Sequence, residues 1–529
     1  MTVDGSPFAG LSVLVAGAGV SGVSAARALL AQGATVSVVD GSPARIESMN
    51  LPAVTGLVGV DVVPPGIDLV VTSPGWRPTA PLLVAAADAG VEVIGEVELA
   101  WRLDQARPDG PADWLVVTGT NGKTTTVSMV ESILLAAGLD AVACGNVGLP
   151  VVDAVLSGHR VLAVELSSFQ LHWSSSVRPA AGLVLNVAED HLDWHGSAAA
   201  YGAAKARALL GPVAVAGVDD EPAAALLAAS PADRRIGVTA AEPAEGQFGV
   251  SAGVLVDRVF GPDGDAVSLI DAELIRPVGP TGIVDALAAA ALTRSYGVAP
   301  ESVEAGLRDF RPGAHRAVVV AEHDGIVYVD DSKATNPHAA AASLRGHARV
   351  VWLAGGLLKG ASVDDLVAET GDRLAAAVLF GADRALIAAA LARHAPDVPV
   401  YEVATGDDKA MREAVDIASQ VARPGETVLL APAAASMDMF TDYAHRGDSF
   451  AAAVLDRQAA EGVAEESAEG DGGAPERDTR PVARPAGTER ADSDRIGAER
   501  LGGDDTGAGR PGSGADTGSD DVVERGGSV

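Results

Sequence analysis

Residues 118–126 read TGTNGKTTT, and they lie between an apolar run, WLVV at residues 114–117, and an amphipathic segment that begins near Thr125. A strand, a glycine loop and a helix in that order form a phosphate loop, because glycines let backbone N–H groups turn toward phosphate oxygens. Lys123 supplies a point charge for the β- and γ-phosphates, and the Thr124 hydroxyl can ligate Mg²⁺. The alternative is a glycine turn with an incidental lysine. We predict an ATP-binding loop formed by Gly119, Thr120, Asn121, Gly122, Lys123, Thr124 and Thr125.

Lysine is rare in this chain, and its positions are informative. Lysine and arginine together number 38, and lysine accounts for only five of them. Where a positive charge only has to be solvated the sequence uses arginine, so a retained lysine indicates a point contact to phosphate or chemistry that needs an amine. Lys409 occupies a polar helical segment and receives no role. The other four, which lie in or beside candidate sites, are Lys123, Lys205, Lys333 and Lys359.

The composition restricts the class of protein. A length of 529 residues corresponds to about three domains of roughly 150 residues each. The net charge of -33 argues against a general binder of nucleic acid or anionic membranes. There is no apolar run of about 18 residues and no basic N-terminal region, so we expect neither a membrane span nor a signal peptide. The single cysteine, Cys144, is typical of a protein in a reducing cytoplasm.

Strands and helices alternate along most of the chain. LSVLVAG at residues 11–17 predicts a buried strand, residues 17–22 a turn, VSAARALLAQG at residues 23–33 a helix, and ATVSVVD at residues 34–40 a second strand. Such a βαβ unit implies a parallel sheet. A second block starts at WLVVTG and a third at GIVYVDDS. We therefore predict an α/β fold with boundaries near residues 106 and 311, where segments with Pro and Gly interrupt the pattern.

The last segment, residues 461–529, differs in composition. It is rich in Gly, Asp, Glu, Arg and Ser, and it contains no aromatic residue and no lysine. Such a segment buries too little apolar surface to offset the entropy lost on ordering, so we predict a disordered acidic tail. A solvated tail without a specific role is the simplest interpretation, and binding to an unknown partner is the alternative.

A second glycine loop lies near the N-terminus. Residues 17–22 read GAGVSG, and Asp40 follows at the end of the next predicted strand. This spacing matches the dinucleotide-binding fingerprint, which alone would indicate an NAD-dependent oxidoreductase, although the same geometry binds any nucleotide diphosphate. SPGW at residues 73–76 ends another predicted strand. It is either a simple turn or, as at the strand ends of open α/β sheets, part of a ligand crevice.

Polar clusters follow three further predicted strands. VELSSFQL begins at residue 164, NVAEDHLDWHG at residue 186 and DDSKATNP at residue 330. An acid at a strand end beyond a phosphate loop is what a Mg²⁺ site needs, because hard cations prefer oxygen ligands. Each cluster alone could be a solvated loop. Three of them at strand ends favour a common site.

Together these motifs resemble the Mur ligases, the ATP-dependent amide-forming enzymes of peptidoglycan precursor synthesis. GTNGKTT is shared with the folylpolyglutamate ligases, whereas ELSSFQL, DHLDWHG, YGAAKAR, DDSKATNP and ASMDMF are similar to the D-glutamate-adding branch. The resemblance covers about residues 8–458. It implies a Rossmann-like domain for the UDP substrate at residues 1–105, a central P-loop ATPase domain with a mostly parallel sheet at residues 106–310, and a Rossmann-like domain for the amino acid at residues 311–460.

The resemblance also implies the reaction. The carboxylate of UDP-N-acetylmuramoyl-L-alanine attacks the γ-phosphate of ATP and ADP leaves. The amine of D-glutamate then attacks the acyl phosphate, which gives an amide and phosphate. The protein positions the reactants and neutralises charge. The implied partners are these three substrates and Mg²⁺ in the cytoplasm, without nucleic acid or membrane insertion.

The resemblance assigns catalytic and metal-binding roles to a few positions. Lys123 is expected at the phosphates, Thr124 and Glu165 at one Mg²⁺, and His191 at a second. Lys205 matches a lysine that is carbamylated in the family, and carbamylation gives a carboxylate-like group beside the metal that arginine cannot form. The implied metal ligands are therefore Thr124, Glu165, His191 and carbamylated Lys205.

The resemblance assigns substrate-binding positions in the same way. ATP is expected to contact the phosphate loop together with Asp285, Arg316 and Asp331. The UDP substrate is expected to contact Gly19, Val20, Ser21, Gly22, Asp40, Ser73, Pro74, Gly75, Asn146 and His191. D-Glutamate is expected to contact Lys333, Thr335, Lys359, Ser436 and Tyr443. Two of these positions depart from the family pattern, because Asp285 stands where Asn is usual and Tyr443 where Phe is usual. The segment GGLLKG also lacks an acid that some relatives have before the lysine, here Lys359, and DGSP after the second predicted strand lacks a Thr-Arg pair found in some relatives.

Three other functions are alternatives at this point. The first is another ligase of the same superfamily, either the L-alanine-adding Mur ligase or a folylpolyglutamate synthase. The second is an NAD-dependent oxidoreductase, which leaves the phosphate loop and DDSKATNP unexplained. The third is a nucleotide-binding scaffold without catalysis.

Overall fold

The computed structural model describes residues 6–404 and 409–469. Apolar, β-branched strands alternate with helices and form three separate sheets in chain order. Most neighbouring strands are parallel, which confirms the predicted α/β class. In parallel sheets the ligand-binding loops lie beyond the carboxyl ends of the strands, so those ends position the site.

The first sheet has five parallel strands in the order β3-β2-β1-β4-β5. Its strands are β1 (Ser12–Ala16), β2 (Thr35–Asp40), β3 (Thr55–Val58), β4 (Leu69–Thr72) and β5 (Glu92–Gly95). Its helices are α1 (Val20–Ala31), α2 (Pro43–Ser48), α3 (Pro81–Asp88) and α4 (Glu96–Gln105). The predicted turn at residues 17–22 is too long, because α1 begins at Val20 with Gly19 as its N-cap.

The middle sheet has nine strands in the order β14-β13-β12-β11-β10-β9-β6-β8-β7, and only the β12–β13 and β13–β14 pairs are antiparallel. Its strands are β6 (Asp113–Thr118), β7 (Ala141–Gly145), β8 (Val161–Glu165), β9 (Ala181–Val184), β10 (Val213–Gly217), β11 (Arg234–Val238), β12 (Gln247–Ser251), β13 (Val254–Asp257) and β14 (Val267–Asp271). Its helices are α5 (Lys123–Ala136), α6 (Val151–Leu156), α7 (Ser168–His172), α8 (Leu192–His195), α9 (Ala198–Ala206), α10 (Glu221–Ala229), α11 (Pro280–Ser295) and α12 (Pro300–Asp309).

The third sheet has six strands in the order β15-β16-β20-β17-β18-β19, with β15 antiparallel to β16. Its strands are β15 (Val318–His323), β16 (Ile326–Asp330), β17 (Val350–Gly355), β18 (Leu374–Phe380), β19 (Val400–Glu402) and β20 (Thr427–Leu430). Its helices are α13 (Pro337–Arg345), α14 (Asp364–Thr370), α15 (Arg384–His394), α16 (Lys409–Val421) and α17 (Tyr443–Glu469). Single-turn 3₁₀ helices span Arg207–Leu209, Pro262–Gly264, Ala272–Leu274 and Gly371–Arg373.

The first and middle sheets share one hydrophobic core. Val13 of β1, Ile94 of β5, Trp114 of β6 and Val164 of β8 belong to the same buried cluster. The third sheet instead has a separate core on each of its two faces. Each fully buried large apolar side chain contributes about 1.5–3 kcal/mol, so the shared cluster holds the first two units in a fixed relation.

The predicted acidic tail overlaps the end of the described chain. Helix α17 extends to Glu469 and therefore includes the first residues of the segment 461–529. The remainder of that segment lies outside the described residues. None of the helices in the described ranges is both long and apolar enough to span a membrane.

Candidate active site

The phosphate loop connects β6 to α5 at the centre of the middle sheet. The parallel neighbours β8 and β9 place Glu165 beside Val117 and Val184 beside Thr118. Gly122 has a φ of 84°, in the left-handed region that favours glycine, and it is the N-cap of α5. The helix begins at Lys123 rather than near Thr125 as predicted. The end of the loop is therefore the first helical turn, whose N–H groups have no partners within the helix.

Asn186, just after β9, is hydrogen-bonded through its side chain to the backbone of the phosphate loop. Its Oδ1 accepts hydrogen bonds from the backbone N–H groups of Thr120 at 3.0 Å and Asn121 at 2.9 Å. Its Nδ2 donates to the Asn121 carbonyl at 3.3 Å. Asn186 belongs to one of the polar clusters in the sequence, but no local pattern reveals this role, because it depends on β9 lying next to β6.

Lys123 lies against the loop that carries it. Its Nζ donates to the carbonyl oxygens of Gly119 at 2.9 Å and Thr120 at 2.8 Å. Burial lowers the pKa of Lys123, and the carboxylates of Glu165 and Asp190 partly oppose that shift. A phosphate in the loop would favour the charged form of this amine, so the arrangement suits an anionic ligand.

Glu165 ends β8 and is almost fully buried. Its Oε1 accepts a hydrogen bond from Asn146 Nδ2 at 2.9 Å. Its Oε2 is also buried, and it has no hydrogen-bond partner within the described ranges. An unsatisfied buried polar atom costs about 1–3 kcal/mol or more when charged, so this oxygen is suited to a ligand. Together with the Thr124 hydroxyl, which lines the same cavity, it provides the oxygen donors that a hard cation such as Mg²⁺ prefers.

His191 lies in a strained loop before α8. Its φ is 53°, which is unusual for a residue with a side chain. Its backbone N–H donates to Asp190 Oδ1 at 2.8 Å, and its ring lies 4.6 Å from the ring of Phe169, measured between centroids. Burial lowers the pKa of His191, so the ring is neutral near pH 7. Neutral imidazole is the form that ligates metals.

Lys205 lies on α9 behind the phosphate loop, and its side chain is 1% exposed. Its Nζ donates to the Gly119 carbonyl at 2.6 Å and lies 4.5 Å from the centre of the Tyr201 ring. Burial holds the pKa of Lys205 well below its usual range, and the nearby charge of Lys123 lowers it further. The amine is therefore disposed to be uncharged, which is the nucleophilic form that reacts with carbon dioxide.

A cavity of about 390 Å³ lies between the middle and third sheets. It brings together most of the predicted ATP and catalytic residues and two of the predicted amino-acid ligands. The predicted residues that line it are Thr120, Asn121, Gly122, Lys123, Thr124, Thr125, Asn146, Glu165, His191, Asp285, Arg316, Asp331, Lys333 and Thr335. Gly119 and Lys205 lie behind the loop instead.

Two acids line the far side of this cavity. Asp285 Oδ1 accepts a hydrogen bond from the Thr126 hydroxyl at 3.2 Å, and burial raises the pKa of Asp285 to about 7. Burial also raises the pKa of Asp331 to about 6. Arg316 reaches across from the third unit and donates to the Thr125 hydroxyl at 3.4 Å. Both acids can accept hydrogen bonds from a nucleoside.

The segment after β16 connects the third sheet to the phosphate loop. Asn336 Nδ2 donates to Asn121 Oδ1 at 3.0 Å, and the Asn121 amide contacts His338 Nδ1 at 2.8 Å. Lys333 Nζ lies 3.6 Å from the centre of the Tyr443 ring, and burial lowers the pKa of Lys333 to about 8. The contacts of Asn336 and His338 depend on the packing of two units, and the sequence patterns did not reveal them.

The remaining predicted amino-acid ligands lie outside this cavity. Lys359 is exposed in the turn after β17, with a φ of 54°. Ser436 is buried in the loop after β20, and Tyr443 begins α17. The structure therefore brings Lys333 and Tyr443 into contact, and it places Lys359 and Ser436 on neighbouring strand ends of the same sheet.

Eight of the ten residues predicted to bind the UDP substrate lie at the carboxyl end of the first sheet, whereas Asn146 and His191 line the cavity beside the phosphate loop. Gly17 has a φ of 107°, and a Cβ atom there would lie 2.5 Å from Ser73 Oγ. Both carboxylate oxygens of Asp40 are used by the loops, because Oδ2 accepts from the Ala18 N–H at 2.9 Å and Oδ1 from the Ser42 N–H at 2.8 Å. Ser73 Oγ is buried and has no partner within residues 6–404 and 409–469. The other predicted residues there are Gly19, the N-cap of α1, Val20, Ser21 and Gly22 in its first turn, and Pro74 and Gly75 in the turn after β4.

The first unit also reaches the His191 loop directly. Arg77, which follows the SPGW turn, forms an ion pair with Asp193 at 2.6 Å. Both side chains are exposed, and exposed pairs contribute about 0–1 kcal/mol. The pair therefore adds little stability, but it joins the two loops that are predicted to hold opposite ends of one substrate.

Comparisons with known proteins agree with this arrangement of three units. Residues 11–95 match the Mur ligase MurD-like N-terminal domain, residues 117–245 the Mur ligase middle domain, and residues 315–434 the Mur ligase glutamate ligase domain. The UDP-N-acetylmuramoylalanine--D-glutamate ligase of Nocardia farcinica is 55% identical over 469 residues, which cover 84% of this chain and 96% of that protein. The chain belongs to the Mur ligase family.

Other members of the Mur ligase family are similar in sequence or in fold. The UDP-N-acetylmuramoylalanine--D-glutamate ligase of Mycobacterium tuberculosis H37Rv is 52% identical over 478 residues, which cover 84% of this chain and 96% of that protein. The solved structure of the UDP-N-acetylmuramate-alanine ligase MurC from Thermotoga maritima aligns with a TM-score of 0.52 at 18% identity, over 85% of this chain and 100% of that one. That likeness concerns the fold alone.

The metal-binding expectation for this Mur ligase depends on an unusual donor set. The part of the chain that the structure describes contains no group of three or more His, Cys, Asp or Glu side chains arranged to hold a metal ion. The predicted set, however, consists of a threonine, a glutamate, a histidine and a modified lysine, so only two of its members are of those types. Glu165 Oε2, which has no hydrogen-bond partner among the described residues, and the Thr124 hydroxyl, which belongs to the lining of the same cavity, are oxygen donors of the kind that a divalent cation needs.

Proposed function

We propose that this chain joins D-glutamate to UDP-N-acetylmuramoyl-L-alanine and converts ATP to ADP and phosphate. The observation that carries the proposal is the meeting of the phosphate loop and the DDSKATNP segment at one cavity, where Asn336 is hydrogen-bonded to Asn121 and Lys333 lines the same space as Lys123. We assign Lys123 in this cavity to the phosphates of ATP and Lys333 to a carboxylate of the amino acid, and the presence of both cations in one cavity supports that assignment. Relatives that bear the name of this ligase are 52–55% identical.

The first step is phosphoryl transfer. The alanyl carboxylate forms a bond to the γ-phosphorus of ATP while the bond from that phosphorus to the bridging oxygen breaks, so that ADP leaves and an acyl phosphate remains. Lys123 and the first N–H groups of α5 neutralise the phosphate charge. Asn186 fixes the loop that carries them, so little reorganisation is needed as the charge moves.

The second step is amide formation. The uncharged amine of D-glutamate attacks the acyl carbon, the tetrahedral intermediate expels phosphate, and the nitrogen loses its proton. We propose that Lys333, Thr335, Lys359, Ser436 and Tyr443 orient the amino acid. The two lysines suit its two carboxylates, and orientation of this kind supplies most of what an amide ligase has to provide.

Divalent cations belong to this proposal as well. Thr124 and Glu165 would hold one Mg²⁺, and His191 with a carbamylated Lys205 would hold a second. When bound, Mg²⁺ neutralises charge on the phosphates and the acyl oxygens. The amine of Lys205, whose pKa burial lowers well below its usual range, is suited to carbamylation. Incorporation of ¹³C from labelled bicarbonate at Lys205 would support this modification, whereas a structure with both metals bound and a free amine at Lys205 would contradict it.

The nucleotide ends of the two substrates lie at different sheets in this proposal. The phosphate loop, Asp285, Arg316 and Asp331 would bind ATP. Residues 19–22, Asp40 and residues 73–75 would bind the UDP group, and Asn146 and His191 would contact the part of the substrate nearer the reaction. We assign these functions to units at residues 1–105, 106–310 and 311–460, and we place the protein in the cytoplasm.

A panel of substrates tests the proposed function. Purified protein should release phosphate from ATP only when UDP-N-acetylmuramoyl-L-alanine, D-glutamate and Mg²⁺ are all present. L-Glutamate is the matched control for the amino acid. UDP-N-acetylmuramate with L-alanine tests the L-alanine-adding reaction, and a folate acceptor tests folylpolyglutamate synthesis. Equal turnover with any of these controls would contradict the assignment.

A further inference from the structure

Arg446, in the first turns of α17, is a fully buried cation that the proposed reaction does not use. Its side chain is 0% exposed. Nε donates to Ser332 Oγ at 2.9 Å and Nη2 to the Ser332 carbonyl at 2.8 Å. Nη1 donates to the carbonyls of Ala434 at 3.0 Å and Gly355 at 3.4 Å. One guanidinium therefore connects three separate loops.

These three loops leave three adjacent strands. Ser332 follows β16, Ala434 follows β20 and Gly355 ends β17, and the sheet order places β20 between β16 and β17. The planar fork of arginine offers donors in several fixed directions, which the single ammonium of a lysine cannot reproduce. The spacing of the three strand ends is therefore linked to one side chain.

The burial of Arg446 makes its positive charge unfavourable, because the guanidinium is removed from water. Burial lowers the pKa of Arg446 to about 10, and the carboxylates of Asp438 and Asp330 oppose that shift. Its hydrogen bonds within the described ranges go to carbonyl and hydroxyl oxygens. A buried charge without a hydrogen-bonded counter-ion is costly, and an apolar side chain would fill the same space more cheaply. The hydrogen-bond geometry is the property that only arginine supplies here.

Each loop bound by Arg446 leads to a residue that the proposed function places at D-glutamate. Ser332 precedes Lys333, Gly355 begins the turn that carries Lys359, and Ala434 lies two residues before Ser436. Tyr443 belongs to the same helix as Arg446, and its carbonyl accepts a hydrogen bond from Ser332 Oγ at 2.8 Å.

Helix α17 is packed closely enough to transmit this constraint. A Cβ atom on Gly447 would lie 2.1 Å from His315 Nδ1 and 2.7 Å from Asp330 Oδ2. The helix backbone at Gly447 therefore packs directly against the side chains of His315 and Asp330, and Arg446 has little freedom to move away from the loops.

We propose that Arg446 is a positioning residue that sets the spacing of Lys333, Lys359 and Ser436 and thereby the affinity for the amino-acid substrate. The inference rests on the proposed function, since it assumes that these residues bind D-glutamate. Arg446 itself does not touch the substrate. It acts through the backbone of three loops, so its removal displaces cationic and hydroxyl groups without removing any of them.

The test compares Arg446→Lys and Arg446→Met with the wild type in steady-state kinetics. Loss of the fork should raise KM for D-glutamate at least about ten-fold, with a smaller change in kcat and less than about a two-fold change in KM for ATP. Arg412→Met is the matched control, because Arg412 lies on the same unit in an exposed ion pair with Asp456 at 2.7 Å. Its kinetic constants should stay at wild-type values.

A purely structural role gives a different result. It would reduce the fraction of folded enzyme, so kcat would fall while KM for D-glutamate stayed constant, and that outcome would overturn the proposal. If both Arg446 variants fail to fold, Ser332→Ala decides, because it removes one acceptor of Arg446 and the donor to Tyr443. A rise in KM for D-glutamate of about three-fold or more supports the proposal, and an unchanged KM overturns it. Wild-type protein without D-glutamate-dependent turnover would contradict the proposed function before any variant is compared.

Discussion

The molecule contains two strand–glycine loop–helix units with nearly the same backbone plan and different chemistry. The loop between β1 and α1, residues 17–19, carries no cation, and beneath it Asp40 accepts two backbone N–H groups. The loop between β6 and α5, residues 119–122, is followed at once by Lys123 and lies directly above the amine of Lys205. The first loop relies on backbone and hydroxyl groups, and the second adds two amines.

This difference explains why the glycine pattern alone predicts topology better than ligand. Both loops offer N–H groups at a helix N-terminus, which is enough for a diphosphate. Only the second has the cation that a transferring γ-phosphate needs. The fingerprint of the first loop would alone have indicated NAD, whereas the complete chain belongs to the Mur ligases.

The largest expected effect comes from removing the cation of the second loop, Lys123. Lys123→Ala should reduce kcat by about a thousand-fold or more, because it removes a fixed positive charge from the transferring phosphate. Thermal unfolding should change little, since the hydrogen bonds that Lys123 Nζ makes within the described residues go to carbonyl oxygens of its own loop. Lys409→Ala is the control for a lysine outside the site. Residual turnover above about one tenth of wild type would show that the second loop does not depend on its cation.

The first loop has no cation to remove, so we expect it to be most sensitive to a substitution at a glycine that packs closely against its backbone. A Cβ atom on Gly22 would lie 1.9 Å from the Gly17 carbonyl oxygen, whereas one on Gly19 meets no atom within 4 Å. Gly22→Ala should therefore lower the free energy of unfolding by about 3 kcal/mol.

Gly19→Ala is the matched control, with an expected loss below about 0.5 kcal/mol. Urea denaturation followed by far-UV circular dichroism measures both. Equal losses for the two variants would show that close packing of α1 on β1 does not govern this loop.

The sequence predicted the parts of this molecule that depend on local pattern. The strands that lead to Glu165, Asn186 and Asp330, the phosphate loop and the α/β class follow from the sequence because apolar runs, glycines and polar strand ends lie close together in the chain. Both helix starts were placed too late, at Val23 and Thr125 instead of Val20 and Lys123. Helical turns that begin inside a glycine loop leave no periodic apolar signal.

Contacts between distant segments were not predictable in this way. No local pattern around Arg446 predicts its role, because its three acceptor loops lie from 12 to 114 residues away in the chain. The roles of Asn186 and Asn336 likewise depend on which strands and units are neighbours. Individual site roles remain predictions, since the resemblance supplies them and the geometry only places the residues together.

Each loop lies beside a buried acid, Asp285 at the second loop and Asp40 at the first, and we expect the effect of replacing these two acids on stability to differ in its dependence on pH. Asp285 accepts one hydroxyl hydrogen bond, and its folded-state pKa is raised to about 7. A raised carboxyl pKa contributes stability that is fully present below the unfolded pKa of about 4 and is lost as the pH rises to about 7. The side chain of Asp285→Asn does not titrate, so this variant should not lose that stability. The free energy of unfolding of the variant minus that of the wild type should therefore increase by about 2 kcal/mol between pH 5 and pH 7.

Asp40→Asn is the counterpart at the first loop. Both oxygens of Asp40 accept backbone N–H groups, and an amide can accept only one of them. This variant should lose about 1–2 kcal/mol at pH 7. Denaturation of both variants at pH 5 and pH 7 measures the contrast, and a constant difference between Asp285→Asn and the wild type would show that Asp285 does not titrate in this range.

The smallest expected effect concerns Ser73, in the turn after β4, whose hydroxyl lies beside Gly17 of the first loop. Ser73 Oγ is buried and unpartnered within the described part of the chain, so its removal should leave the free energy of unfolding unchanged or raise it by up to about 1 kcal/mol. If the hydroxyl binds a diphosphate oxygen, Ser73→Ala should also raise KM for the UDP substrate about three-fold and leave KM for ATP unchanged. A substitution that raises stability and weakens substrate binding is expected only when the polar group that it removes binds a ligand. A variant that loses stability and keeps its KM would instead give Ser73 a structural role, and the first loop would then bind through backbone N–H groups alone.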